Sequence, residues 1–212
     1  MTAGRRVIRH PITLPMNART EQTLTLIRDL AAGFVDHPEA LRVEAQEAEP
    51  DSAYFMLKGH AEDVAKLVGK DGTHVDALTF LVSALGIVNG QVYTFRLLTE
   101  KRVGTASDAD PRHAMAYDSK PAMELLARIL KAMNLESFTI AVGPGTGPRD
   151  GLTFTFDIRV KDSFDYSILT LAHEITRADR TLKMALISAL GTLFRAIARR
   201  NGVRFHLNVG AP

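Results

Sequence analysis

The chain has 212 residues, of which 46% are hydrophobic and 24% charged, and its formal net charge is +2. This composition is ordinary for a folded protein and argues against a disordered or fibrous chain. The absence of cysteine excludes disulfides and thiolate metal sites, and it fits an intracellular protein, so we expect a cytoplasmic location. No run reaches the roughly 18 apolar residues that a membrane span needs, and we expect no membrane partner.

The first half of the chain is predicted to contain a basic arm and one domain. Residues 1–17 carry Arg5, Arg6 and Arg9 without a following apolar stretch, which indicates an arm and not a secretory signal. Apolar residues recur every 3.6 residues in the predicted helices and every two residues in the predicted strands, and Gly and Pro separate these segments. Together the segments form a domain over residues 18–102. These elements are a helix over 20–33, strands over 41–45 and 53–58, helices over 60–68 and 73–85, and a strand over 91–98.

The second half repeats this order after a polar linker, predicted over residues 103–117. The elements of the domain over 118–212 are a helix over 120–135, strands over 138–142 and 152–160, helices over 163–175 and 180–200, and a strand over 203–209. Both halves read as α-β-β-α-α-β. The predicted class is therefore α+β, with two tandem domains that each have a three-stranded sheet and helices on one face.

A repeated hexamer favours duplication of one unit. Leu-Val-Ser-Ala-Leu-Gly at residues 81–86 recurs as Leu-Ile-Ser-Ala-Leu-Gly at 186–191. Chance recurrence of a small apolar hexamer is the alternative. The agreement of six elements in the same order favours divergence from a common unit.

The motif with the clearest chemistry is Gly69-Lys-Asp-Gly72, between the two short helices of the first half. Two glycines let a backbone approach a ligand closely and adopt positive φ. The next helix begins at Thr73, where Thr73 and Asp76 have capping-box spacing. Its free N–H groups and positive dipole end point at the loop, and Lys70 adds a cation. A phosphodiester backbone fits these features.

This motif and its flanks resemble the KH signature. The resemblance lies in Phe34-Val-Asp-His-Pro-Glu-Ala40 and in His60-Ala-Glu-Asp-Val-Ala-Lys-Leu-Val-Gly-Lys-Asp-Gly-Thr-His-Val-Asp-Ala-Leu78. Over residues 24–100 the chain looks like the small bacterial single-KH RNA-binding proteins of KhpA type. The resemblance implies a type II KH fold, single-stranded RNA as partner, a role as RNA chaperone or post-transcriptional regulator, and a groove floor near residues 55–58. The RNA-binding residues it implies are Lys66, Val68, Gly69, Lys70, Asp71, Gly72, Thr73 and His74.

Two features of the first half depart from the family pattern. Asp71 places a negative charge in the loop, and the helix over 73–85 has no Lys or Arg. Each lost phosphate contact weakens RNA binding. A protein-interaction scaffold that keeps the KH fold without RNA is therefore the alternative function.

The second half resembles a degenerate KH domain. Its corresponding break, residues 176–179, has no glycine, so its loop is not expected to clamp a backbone. Secondary phosphate contacts are predicted at Arg177, Arg180 and Lys183, with a solvated basic helix face as the alternative. Small proteins of the resembled family dimerise. The duplicated chain is therefore predicted to form a pseudo-dimer within itself, with a homodimer or another protein partner on its KH surfaces as the alternative.

No metal site, cofactor or catalytic residue is predicted. His173-Glu174 begins like a zinc-protease helix, but Arg177 stands where the second histidine is required. The other histidines show no ligand spacing, and no Gly-x-Ser-x-Gly elbow occurs. We therefore expect a protein without enzymatic activity.

Overall fold

A computed structural model describes residues 17–49, 51–99, 117–135, 137–144, 152–170, 172–176 and 181–210. The α-helices in this part of the chain are α1 (Ala18–Ala32), α2 (Val64–Val68), α3 (Thr73–Val88), α4 (Lys120–Ala132), α5 (Ser163–Thr170) and α6 (Leu186–Arg200). The strands are β1 (Arg42–Glu49), β2 (Ser52–Lys58), β3 (Val92–Leu98), β4 (Phe138–Pro144), β5 (Thr153–Val160), β6 (Ala172–Thr176), β7 (Thr181–Ala185) and β8 (Arg204–Gly210). The predicted N-terminal arm and linker lie almost wholly outside the described residues.

Two three-stranded sheets share one order and one sense. In the first, β2 lies between β1 and β3, antiparallel to β1 and parallel to β3. In the second, β5 lies between β4 and β8 with the same senses. Side chains along β2 alternate between buried and half-buried positions, because successive residues of a strand point to opposite faces of the sheet. The predicted α+β class with two such sheets is confirmed.

The second half departs from the predicted element order between α5 and α6. The helix predicted over 163–175 ends at Thr170, and the helix predicted over 180–200 begins only at Leu186. Between them, β6 and β7 pair as antiparallel strands. Both segments carry β-branched residues, which favour strands. The observed order of this half is therefore α-β-β-α-β-β-α-β, and the predicted α-β-β-α-α-β is wrong there.

One hydrophobic core runs through both halves. α3 packs against α6, and α1 packs against α4. Polar contacts link the same elements: Arg128 Nη1 lies 2.6 Å from Asp29 Oδ2, and Arg200 Nη1 donates to the Ala32 carbonyl at 2.7 Å. Fully buried side chains come from each half, among them Leu30, Phe80, Leu126 and Phe194.

The most apolar helical stretch is a core element. By length and composition alone, Lys70–Val88 meets the requirements for a membrane span. In the folded protein 50% of that stretch is buried, and α3 places Leu78, Phe80 and Leu81 in the core. Packing between the two halves therefore accounts for its apolar character.

The repeated hexamer occupies different positions in the two packed helices. Residues 81–86 lie in the second half of α3, whereas residues 186–191 open α6. The two copies therefore do not mark equivalent places in the fold. The duplication remains a prediction, and the shared strand order of the two sheets is its main support.

Substitution by Ala is expected to change the free energy of unfolding in opposite directions at the two glycines that end the hexamers. A Cβ at Gly86 would lie 2.8 Å from the Gln91 carbonyl oxygen and from the Tyr93 nitrogen, and these backbone atoms cannot move aside easily. Although Ala favours a helix by about 1 kcal/mol over Gly, Gly86→Ala should lower the free energy of unfolding by about 2 kcal/mol. The matched control is Gly191→Ala, whose Cβ would meet only the flexible Arg195 guanidinium, at 3.3 Å. Urea denaturation measures both variants, and equal changes in their free energy of unfolding would contradict this prediction.

Candidate functional site

The short helix α2 holds residues 69–72, here called the glycine loop, between β2 and α3. A Cβ at Gly59, just after β2, would lie 2.6 Å from Leu67 Cδ1, so glycine lets α2 close over the end of the strand. Leu67 is fully buried and anchors α2 in the core. The Gly69 N–H donates to the Ala65 carbonyl at 2.9 Å and ends the helix. The loop therefore starts at a fixed point.

The backbone of the glycine loop is left-handed at three of its four residues. The φ angles are 74° at Gly69, 53° at Asp71 and 82° at Gly72. A Cβ at Gly69 would also lie 2.8 Å from the His74 nitrogen. Glycine is required there, whereas Asp is among the residues that tolerate positive φ.

The start of α3 faces the loop without a side-chain cap among the described residues. Gly72 is the N-cap residue, and Thr73 is already inside the helix. The predicted capping box of Thr73 and Asp76 is therefore wrong, and Asp76 is instead buried. Uncapped N–H groups and the helix dipole make this end of α3 attractive to an anion.

The predicted contact residues differ in their accessibility. Lys70, Asp71 and Thr73 are exposed, and Val68, Gly69 and Gly72 are half-buried. Within the described residues Lys70 makes no ion pair, so its charge is available to a ligand. These residues form the accessible surface of the glycine loop.

Lys66, by contrast, is occupied by acidic side chains. Its ammonium group pairs with Asp36, and its Nζ lies 3.8 Å from Asp63 Oδ1. The side chain of Lys66 is only 26% exposed. A predicted RNA-contact residue therefore lies in an ion-pair network beside the loop.

His74 is packed into the support of the loop. Its Nδ1 donates to the Lys66 carbonyl at 2.6 Å, and its ring centroid lies 5.4 Å from that of Phe34. Burial lowers the pKa of His74; the hydrogen bond to Lys66 opposes this shift, and the charge of Arg199 adds to it. The neutral imidazole therefore ties the start of α3 to α2.

The lowered pKa of His74 predicts acid destabilisation. The unfolded chain binds a proton near the ordinary value of 6.5 and the folded protein only at lower pH, so the free energy of unfolding falls as the pH drops below 6.5. His74→Asn keeps a donor near the Nδ1 position and cannot titrate, so its stability should fall less over that range. Urea denaturation at neutral and mildly acidic pH measures this. The control is His206→Asn, at an exposed position on β8, whose free energy of unfolding should fall with pH as that of the wild type does. If the pH dependence is reduced as much in His206→Asn as in His74→Asn, the assignment of the effect to His74 is wrong.

The end of α6 lies near residues that support the glycine loop. Arg199 is exposed and close enough to His74 to lower its pKa. The next residue, Arg200, lies with its Nε 4.0 Å from Asp36 Oδ1. The sequence predicts a basic face in this helix, but only the packing of α3 against α6 brings Arg199 near His74.

The predicted secondary contacts are separate from the glycine loop in the chain. Lys183 on β7 pairs with Glu174 on β6, with 3.0 Å between Nζ and Oε1. Arg177 and Arg180 lie outside the described residues. Of the three predicted secondary contacts, Lys183 is therefore already paired with a neighbouring carboxylate.

The strand expected to form the groove floor is largely a core strand. Phe55 and Leu57 are fully buried. Met56 is half-buried and Lys58 exposed. Any contact between this part of β2 and a ligand must therefore come from Met56 or Lys58.

A buried carboxylate organises the base of α2. Asp63 is 1% exposed, and its oxygens accept the backbone N–H groups of Asp36 at 2.9 Å and His37 at 2.8 Å. Its Oδ2 also lies 3.1 Å from His37 Nδ1. Asp63 therefore ties the connection between α1 and β1 to the start of α2. These partners are far apart in sequence, and no local spacing indicates them.

Comparison with known proteins finds relatives of the first half. The family model described as KhpA/KhpB, KH domain, matches residues 25–96, which include the glycine loop. The RNA-binding protein KhpA of Halalkalibacterium halodurans is 35% identical over 60 residues, which are 28% of this chain and 78% of that protein. No solved structure matches the chain. The resemblance to KhpA-type KH proteins is confirmed.

Proposed function

Since the chain belongs to the KhpA/KhpB family of KH-domain proteins, we propose that it binds single-stranded RNA at the glycine loop. The observation that carries the proposal is the loop geometry, with positive φ at Gly69 and Gly72 just before the uncapped start of α3. The exposed Lys70 adds a cation at the same place. KH domains use such a loop to clamp about four nucleotides. The name of the related RNA-binding protein supports the same conclusion.

The proposed contacts divide between backbone and side chains. The Lys70 ammonium and the backbone of the glycine loop around Lys70 and Asp71 meet phosphates, while Val68 offers an apolar wall. Arg199, whose charge acts on His74, is proposed to meet a further phosphate. Lys66 and His74 are assigned a supporting role because the Lys66 ammonium and His74 Nδ1 are already bound within the protein. Asp71 opposes phosphate, so we expect moderate affinity.

We further propose that the second half is a KH-like unit without an RNA loop, which makes the chain its own dimer. The two sheets have the same order and sense, and α1 and α3 contact their counterparts α4 and α6. Contact between like elements is typical of a two-fold symmetric dimer. The strand pair of β6 and β7 stands between α5 and α6, as the glycine loop stands between α2 and α3. Analytical ultracentrifugation should show a monomer with one RNA site, and an obligate homodimer would contradict this proposal.

The role proposed for this binding is that of a cytoplasmic RNA chaperone or post-transcriptional regulator without enzymatic activity. A loop that holds the backbone and leaves base edges accessible suits RNAs of varied sequence. Such binding suits a protein that escorts or remodels RNA.

The test is fluorescence anisotropy with the full-length chain and a labelled single-stranded RNA of about ten nucleotides. If about three phosphates are neutralised, the logarithm of the binding constant should fall with the logarithm of the salt concentration with a slope of about −2. A duplex of the same sequence should bind more weakly, because its bases are stacked and its backbone is held in the A form.

The same titration decides between RNA binding and the scaffold alternative. Salt-sensitive binding of the single strand supports the proposed clamp. The absence of binding at low salt would contradict it and would favour a KH fold used for protein contacts. Equal binding of duplex and single strand would instead indicate a general electrostatic surface.

A further inference from the structure

Three potential metal ligands meet beside α2, away from the tip of the glycine loop. They are His37, in the connection between α1 and β1, and His60 and Glu62, between β2 and α2. One ligand atom from each residue lies within 4.8 Å of the other two. The centroids of the two imidazole rings are 4.2 Å apart, and His37 Nε2 lies 3.9 Å from Glu62 Oε2.

These separations fit ligands of a shared ion better than a direct hydrogen bond. A hydrogen bond would bring nitrogen and oxygen to about 3.2 Å or less. Ligand atoms at about 2.1 Å from a tetrahedral zinc ion stand about 3.4 Å apart. The distance between His37 and Glu62 is 3.9 Å, and a small rotation of exposed side chains closes the difference. The Glu62 side chain is 76% exposed, and the exposed His60 accepts a long hydrogen bond of 3.4 Å from the Glu62 N–H at its Nδ1, which metal binding through Nε2 would release.

A buried carboxylate already orients one of the imidazoles. Asp63 is 1% exposed and accepts two backbone N–H groups, so its position is fixed. Its Oδ2 lies 3.1 Å from His37 Nδ1, so a neutral ring that donates to Asp63 carries its proton on Nδ1 and can offer Nε2 to a metal, 3.9 Å from Glu62 Oε2. A carboxylate behind a histidine is the usual support of a metal-binding imidazole.

We propose that His37, His60 and Glu62 bind one Zn²⁺ ion, with a solvent molecule completing the coordination. Two imidazoles and one carboxylate suit zinc, whereas Mg²⁺ and Ca²⁺ require mainly oxygen ligands. The ion would join the connection after α1 to the segment before α2. The proposal is independent of RNA binding, because none of the three ligands is among the proposed RNA contacts.

The test is calorimetric titration of the full-length, chelator-treated protein with ZnCl₂, paired with thermal unfolding. One equivalent should bind to the wild type and raise the Tm, because the ion binds the folded state. His60→Ala should weaken Zn²⁺ binding by at least about tenfold, since supporting residues behind a ligand already contribute that much. His206→Ala, a matched removal of an exposed histidine on β8, should bind as the wild type does.

A second probe reports the ligands directly. Co²⁺ in a tetrahedral nitrogen and oxygen site absorbs visible light strongly, so wild type and His206→Ala should show this band. His60→Ala should lose it, and Glu62→Gln should weaken it, with circular dichroism showing that both variants remain folded. The proposal is overturned if His60→Ala keeps the wild-type Zn²⁺ affinity, or if the wild type binds no Zn²⁺.

Discussion

Lys70→Asp is expected to weaken binding of a short single-stranded RNA by about 10- to 100-fold, because a charge-assisted hydrogen bond of about 1.5–3 kcal/mol is lost. Lys70 is exposed, stands between the two glycines, and makes no ion pair within the described part of the chain. The new carboxylate would add to the charge of Asp71 and repel phosphate. The logarithmic salt slope should become less steep by about 0.7 for the lost contact. Fluorescence anisotropy at two salt concentrations measures both effects.

The control for charge reversal is Lys161→Asp, at an exposed position just after β5. It changes the net charge by the same amount but follows a strand of the second sheet, whereas the glycine loop belongs to the first half of the chain. RNA affinity close to that of the wild type is expected for this control. If the two variants bind equally weakly, net charge governs binding and the loop is not a clamp.

Asp63→Ala is expected to lower the free energy of unfolding by about 3 kcal/mol, since buried donors lose a charged acceptor. The side chain is 1% exposed and accepts the N–H groups of Asp36 and His37. Its loss would leave these two donors without their partner and would also leave Lys66 with one carboxylate fewer. Urea denaturation in the presence of a chelator measures the change without a contribution from metal.

Two variants separate the acceptor role of Asp63 from its size and charge. Asp63→Asn keeps the shape but turns an amide NH₂ toward a backbone N–H donor, so most of the stability loss should remain. Glu62→Ala removes the neighbouring carboxylate, which is 76% exposed, and should change stability by less than about 0.5 kcal/mol. If Asp63→Asn is as stable as the wild type, Asp63 does not stabilise the fold as a hydrogen-bond acceptor.

The sequence predicts the glycine loop well because its signal is local. Gly69 and Gly72 specify positive φ by their lack of a Cβ, and the helices beside them follow from apolar periodicity. Alternation in β2 likewise predicts a sheet with one buried face. The capping box fails because Gly72 takes the cap position and Thr73 enters the helix.

What the sequence does not predict depends on contacts between distant segments. His37 and Asp63 have no local spacing that links them, and their contact exists only once α2 packs near the end of α1. Arg199 comes near His74 only through the packing of α3 against α6. The sequence does not predict the pairing of β6 with β7, because short apolar runs fit helical and strand periods equally well.

The shared core has a consequence for how the protein responds to its own abundance. Two separate chains that cover each other's α3-like helix separate on dilution, whereas two halves of one chain face each other at a fixed effective concentration. Here α3 and α6 belong to the same chain and the same core. A cell that makes few copies would therefore have few fully assembled molecules, not a pool of exposed half-structures. Expression level would set how many binding sites exist and leave the quality of each site unchanged.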